Sequence, residues 1–165
     1  MTYPRVLATL HSKGYISVIS ELSQDGLVHF VANADIDDDG TGPGYGDPYH
    51  QNDTTLHYQG QPLNADEDLY VVVPPLICRK VRGIVLGCKV TVTNRRNGNV
   101  VIGVIGDIGP SFKDGEVSIA TAKALDIDWN PNTGGEDSAV IEYIIEPGVP
   151  AMSNGKTYTL QHYGG

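Results

Sequence analysis

Apolar residues in this chain come almost entirely in short, β-branched runs that glycine or proline cuts off before a long helix can form. Residues 15–20, 28–33, 69–73, 88–93, 100–105, 139–145 and 157–162 each fit a strand. The 20 glycines and 10 prolines fall mainly between them, as turn chemistry requires. A chain patterned in this way folds as a β-rich domain. Only one helix is expected. Ser118 can cap it, and Ile119, Ala122 and Leu125 recur at helical spacing. Asp126 then stands at the helix end, where a left-handed backbone is common and Asp tolerates it. Pro147, Gly148 and Pro150 are expected to break the chain before a last strand.

At 165 residues the chain reads as one domain, large enough to hold a core without staples. Its net charge of −9 argues against nucleic acid, which requires a basic footprint, and suits a cationic partner. It contains no apolar run long enough to span a membrane. The first ten residues carry one Arg and no sustained apolar stretch, so they do not read as a secretory signal. Cys78 and Cys88 match no zinc spacing, and buried free thiols are expected, with a single disulfide as the alternative.

Three segments carry candidate chemistry. In the first, an apolar strand runs into Gly106-Asp107-Ile108-Gly109-Pro110, and Gly115-Glu116 then lead into the helix. Asp107 at a strand end and Glu116 before a helix are suitable mounts for the two carboxyl groups that glycoside hydrolysis requires. Taken alone, the spacing equally fits a turn Asp and a Glu that favours the helix dipole. The second segment is Ala34-Asp35-Ile36-Asp37-Asp38-Asp39-Gly40. Asp35, Asp37 and Asp39 follow the start of an EF-hand loop, but Gly46 stands where the bidentate Glu belongs and no helices flank it. These acids open a long irregular stretch over 35–68 and are expected to organise it, through hydrogen bonds or a bound cation such as calcium, or to line a cleft for a cationic sugar. The third segment places Tyr45, Tyr49, His50, His57 and Tyr58 in a Gly/Pro-rich loop. Their aromatic faces suit stacking on sugar rings. His50 and His57 have no evident third partner, and no metal site is assigned.

Read together, these segments resemble the fungal-type chitosanases, glycoside hydrolase family 75, and their bacterial relatives. The likeness runs from about residue 33 to 135. It rests on the acidic motif, on Asp47-Pro48, on Leu63-Asn64-Ala65-Asp66 followed by Tyr70-Val71-Val72-Val73-Pro74, and on Gly106-Asp107-Ile108-Gly109-Pro110 with Gly115-Glu116-Val117-Ser118-Ile119-Ala120. The resemblance implies inverting hydrolysis of chitosan by Asp107 and Glu116; with the acidic and aromatic segments beside them, Asp35, Asp37, Asp39, Tyr49, His57 and Tyr58 are expected to bind the substrate. It also implies a secreted or cell-wall-directed protein, by an export route the chain does not reveal. The pattern departs at Asp38, where fungal members carry Cys, and at Asp126, where bacterial relatives often carry Gly. A shorter stretch, strand–Asp-x-Gly-Pro–loop–Ser-Ile-Ala–helix, resembles the double-psi β-barrel of the rare lipoprotein A family and expansins. The fold expected is therefore mostly β: a single-domain, six-stranded, double-psi-like barrel with one short helix and a long acidic loop. A monomer without cofactor is expected. The alternatives are a peptidoglycan-cleaving lysin or lytic transglycosylase, and a non-catalytic wall-binding barrel.

Overall fold

The structure, a computed structural model, describes residues 2–12, 14–111 and 113–162. In chain order the elements are β1 (Arg5–Ser12), β2 (Tyr15–Glu21), β3 (Val28–Asp37), β4 (His57–Tyr58), β5 (Gln61–Pro62), β6 (Tyr70–Val73), α1 (Pro75–Lys80), β7 (Cys88–Asn94), β8 (Val100–Ile108), β9 (Glu116–Ser118), α2 (Ile119–Ala124), β10 (Glu136–Pro150), β11 (Met152–Ser153) and β12 (Lys156–Thr157). Six strands close into a barrel in the order β3-β10-β7-β8-β6-β9, and the parallel β9–β3 pairing seals the ring. β1 and β2 form an antiparallel hairpin that extends the sheet outside the ring, along β3.

The pattern of each strand follows its place. β7 alternates buried and half-buried residues along its length, as a strand with one covered face must. β6, Tyr-Val-Val-Val, is buried at every position because it lies between β8 and β9 with both faces covered. Phe30 on β3 stacks on Tyr143 on β10 with ring centroids 4.8 Å apart, and both are fully buried. Burying each such ring contributes about 1.5–3 kcal/mol relative to leaving it exposed.

The expected barrel is present, and the elements around it differ in instructive places. The anticipated helix is α2: the Ser118 side chain accepts from the Thr121 amide, and Asp126 takes the left-handed backbone at φ 57°. A second helix, α1, begins at Pro75, where a missing N–H costs nothing because first-turn amides lack intrahelical partners. Asp35 and Asp37 belong to β3 rather than to the loop, and Glu116 opens β9 rather than preceding the helix directly. β10 does not stop at Pro147. It continues to Pro150 through a register shift between Glu146 and Pro150. The span 157–162 is mostly not strand: only Lys156–Thr157 pairs, with Met152–Ser153, and Gln161 makes a single bridge to Leu86. Cys78 is half-buried and Cys88 buried, both as free thiols.

Candidate functional site

Strand register brings the two predicted carboxyl groups together. Asp35 on β3 stands beside Glu116 on β9, Glu116 beside Val72 on β6, and Val72 beside Asp107 on β8. Neighbouring positions in one row of a sheet point to the same face, so Asp35, Glu116 and Asp107 project together with Val72 between the last two. Asp107 reaches this row only through a bulge. β6 pairs Val71 with Ile105 but Val72 with Asp107, so Gly106 is the extra residue. A regular ladder would set Gly106 beside Val72 and turn Asp107 to the opposite face. Gly106 is itself required by crowding, since a Cβ there would lie 2.6 Å from Tyr70 Cβ and 2.7 Å from Leu63 Cδ1.

Glu116, Val72 and Asp107 line a cleft of about 660 Å³ that also takes in Asp37, Asp39, Thr55 and His57, while Asp35 borders the depression beside it. A second depression of about 440 Å³ shares Asp37, Asp39, Pro110 and Glu116 with it. The two therefore run together as a groove past Glu116. Gly109 keeps its floor open: a Cβ there would lie 2.9 Å from Val72 Cγ1 and 3.9 Å from Glu116 Oε1.

Asp107 is buried and firmly held. Its Oδ1 accepts from the Thr55 hydroxyl at 2.6 Å, the Thr55 amide at 3.0 Å and its neighbour's amide, Ile108, at 3.0 Å. Burial pushes this carboxyl above the ordinary Asp range, while these three donors favour the ionised form and pull the other way. No described residue donates to Oδ2. Glu116 is also raised by burial, and further by Asp35 and Asp107. The Lys113 ammonium opposes this, sitting 3.5 Å from Glu116 Oε1 and 2.5 Å from Asp35 Oδ2. Lys113 remains charged because Asp35 and Glu116 outweigh the cost of its burial.

Asp37 is held well above the usual carboxylate range, first by burial and then by Asp39. Tyr70 Oη donates to the Asp39 carbonyl at 2.8 Å and lies 3.3 Å from Asp37 Oδ1. Asp39 accepts from the Gln51 amide at 2.9 Å, which ties the end of β3 to the long loop. His57 Nε2 meets Asp53 Oδ1 at 2.7 Å on the cleft wall. Tyr49 is 85% exposed and borders the smaller depression, free to offer a ring face. Tyr58 does not join the groove. It packs against Tyr158 beneath Lys156 and borders a separate depression.

Two functional partners escape a reading of the sequence. Thr55 has no local signal, being 52 positions from Asp107. Lys113 stands three positions before Glu116, but no helix runs through these positions, so that spacing does not by itself bring the two together. Among the described residues, two clusters have donor atoms close enough to share a cation. Oxygens of Asp37, Asp39 and Asp107 lie within 4.8 Å of one another, as do ligand atoms of Asp38, Asp39 and His50. No family model matches the chain, and no curated protein matches it.

Proposed function

We propose that the groove hydrolyses a glycosidic bond within a β-1,4-linked glucosamine polymer, chitosan, by an inverting, two-carboxylate mechanism. The observation that carries this reading is the shared row of Asp107 and Glu116 across β6. Two strand spacings set their Cα atoms about 10 Å apart. Inversion requires carboxyl groups separated by about 6.5–9.5 Å to leave room for a water, whereas a nucleophilic mechanism requires about 5–5.5 Å. The Cα span leaves room for the first, and the anomer formed distinguishes the two.

The roles follow from the environments. Asp107 is the general base: three donors fix Oδ1 and favour the carboxylate, so Oδ2 accepts the proton of the attacking water. Glu116 is the general acid: burial and neighbouring carboxylates favour its protonated form, and it delivers that proton to the leaving oxygen. The water oxygen bonds to the anomeric carbon from the face opposite the departing oxygen, so the configuration inverts. Solvent exchange then returns Asp107 to carboxylate and Glu116 to acid. Asp35 and Asp39 add negative potential along the groove, which concentrates a cationic chain, and Asp37, held toward its protonated form, offers a hydrogen bond there. His57 and the exposed Tyr49 ring supply further contacts. Such a polymer lies outside the cell or in a wall, and the reading places the protein there.

Reducing-end release from chitosan and from peptidoglycan, with proton NMR of the first product anomer, tests the proposal. Cleavage of chitosan to the α-anomer, lost in folded Asp107→Asn and Glu116→Gln variants, is the expected result. Retention of the β-configuration sinks the inverting mechanism. Cleavage of peptidoglycan alone moves the site to a lysin, and turnover of neither leaves a wall-binding barrel.

A further inference from the structure

The acidic motif is not uniformly open. Asp35, Asp37 and Asp38 all border the smaller depression with Glu116, and Asp38, beside Asp47, is only 3% exposed. Its Oδ2 is buried and accepts no hydrogen bond. His50 Nδ1, also buried and without a hydrogen-bond partner, lies 3.4 Å from Asp38 Oδ1. Polar atoms enclosed without a hydrogen bond carry a desolvation cost that something must offset.

We propose that Asp38, Asp39 and His50 bind a divalent transition-metal ion of the zinc or manganese class, apart from the carboxyl pair that flanks Val72. One ligand atom from each of the three lies within 4.8 Å of the others. Two ligands held at about 2.0–2.1 Å on a tetrahedral zinc stand about 3.4 Å apart, which is the spacing of Asp38 and His50. The Asp47 carboxyl lies against Asp38, and its Oδ1 is occupied by the Tyr49 amide at 2.9 Å, which leaves its second oxygen to complete the set. One imidazole nitrogen among carboxylate oxygens suits zinc or manganese. Calcium prefers six to eight oxygens.

The surrounding backbone is built to seat the imidazole. A Cβ at Gly44 would lie 2.7 Å from His50 Cγ and 2.9 Å from Nδ1, and the residue sits at φ +73°, so only glycine fits. Asp47 and His50 close on each other through a backbone bond of 3.2 Å, and Gly40 donates to the Gln51 carbonyl at 2.9 Å. An ion here clips the end of β3 to the loop that goes on to present Thr55 to Asp107. The site stands whether or not the groove cleaves a glycan.

The test uses the full chain stripped with chelator and then titrated calorimetrically with zinc chloride and with manganese chloride, with cobalt as a visible-absorption probe. One ion per chain is expected, with a rise in melting temperature and a cobalt spectrum of mixed nitrogen and oxygen ligation. Asp38→Asn and His50→Gln should each weaken binding at least about 100-fold, since even residues that only orient ligands are worth 10–100-fold. His11→Gln, an exposed residue on β1, should bind like the parent chain and so exclude adventitious surface histidine. Melting curves show whether each variant folds. If either does not, the stoichiometry and cobalt spectrum of the parent chain decide alone. The proposal is overturned by absence of binding, by binding that folded Asp38→Asn and His50→Gln leave unchanged, or by a cobalt spectrum of oxygen ligands only. It is equally overturned if the chain binds no ion and Asp38→Asn raises the melting temperature, because a proton shared with Asp47 then explains the buried pair.

Discussion

Replacing Gly106 by Ala tests the claim that tight packing fixes the bulge that places Asp107 in its row. The backbone at Gly106 is ordinary, so the cost is steric rather than conformational. The added methyl would meet Tyr70 Cβ at 2.6 Å, Leu63 Cδ1 at 2.7 Å and Tyr70 Cγ at 2.9 Å. Carbon atoms prefer about 3.5–4.0 Å, so each contact is short by roughly 1 Å. Neither neighbour has room to retreat. Tyr70 is fully buried with its hydroxyl tied to the Asp39 carbonyl, and Leu63 is 1% exposed. Overpacking of this kind costs about 1–3 kcal/mol. In a domain of this size each kcal/mol lowers the melting temperature by about 2–4 °C, so a fall of about 2–12 °C is expected. Thermal melts of purified Gly106→Ala and parent chain, backed by urea midpoints, measure it. Trimming Leu63 in the same chain removes one of the contacts, so the alanine should cost less in a Leu63→Ala background. A Gly106→Ala protein that melts within about 1 °C of the parent would show that the pairing around Val72 yields freely and that the packing argument is wrong.

Four further outcomes are expected. Thr55→Val removes the 2.6 Å hydroxyl bond to Asp107; at about 1.5–3 kcal/mol for a bond to a charged group, the acid limb of the pH–rate profile should move up by about 1–2 units, and a stationary limb rejects Asp107 as base. Lys113→Met removes the ammonium that favours ionised Glu116, so the alkaline limb should shift to higher pH, read from kcat/KM profiles. Asp114 is fully buried and burial raises its carboxyl, so its contribution to stability is present below the unfolded value of about 3.9 and is lost as pH rises through the folded one; Asp114→Asn should flatten the fall in melting temperature from acid toward neutral pH. Raising salt from 0.1 to 1 M shrinks the Debye length from about 10 to about 3 Å, so apparent affinity for chitosan should weaken while the maximal rate changes little; an affinity that stays constant counts against a cationic substrate.

Much of the barrel was legible because half-covered strands advertise themselves by alternation. β7 and the buried core of β10 are patterned that way, and the Ser118 cap was visible from its own neighbours. The readings that failed did so where local chemistry and tertiary context disagree. Asp35-Ile36-Asp37 alternates correctly for a strand, but with acids on the face that lines the groove, and a run of acids reads locally as loop. β9 is three residues long and exists only because β3 and β6 flank it. α1 is too short for periodicity, and its opening prolines look like a breaker. For the site, the glycines drew attention to Asp107 and Glu116, but only the resemblance singled them out as an acid pair. The partners that tune them, Thr55 and Lys113, and the meeting of Asp38 with His50, arise from chain crossings that no spacing announces.

The β1–β2 hairpin lies outside the closed ring, yet it is anchored at two points next to residues of the groove. The Tyr15 hydroxyl accepts from the Asn33 amide at 2.7 Å, and Asn33 in turn donates to Asp35 at 3.0 Å. Ser17 donates to the buried carboxyl of Asp114, one residue past Lys113 and two before Glu116. A ring whose strands all pair on both sides opens only as a whole, whereas a hairpin held along one edge can peel away singly. Peeling would release Ser17 from Asp114 and loosen the segment that carries Lys113, while the ring that holds Glu116 stays shut. The flap thus acts as a tether with its own, lower opening energy. Amide exchange along β1 and β2 should accordingly run ahead of exchange in β7, and should bring the amides around Asp114 with it.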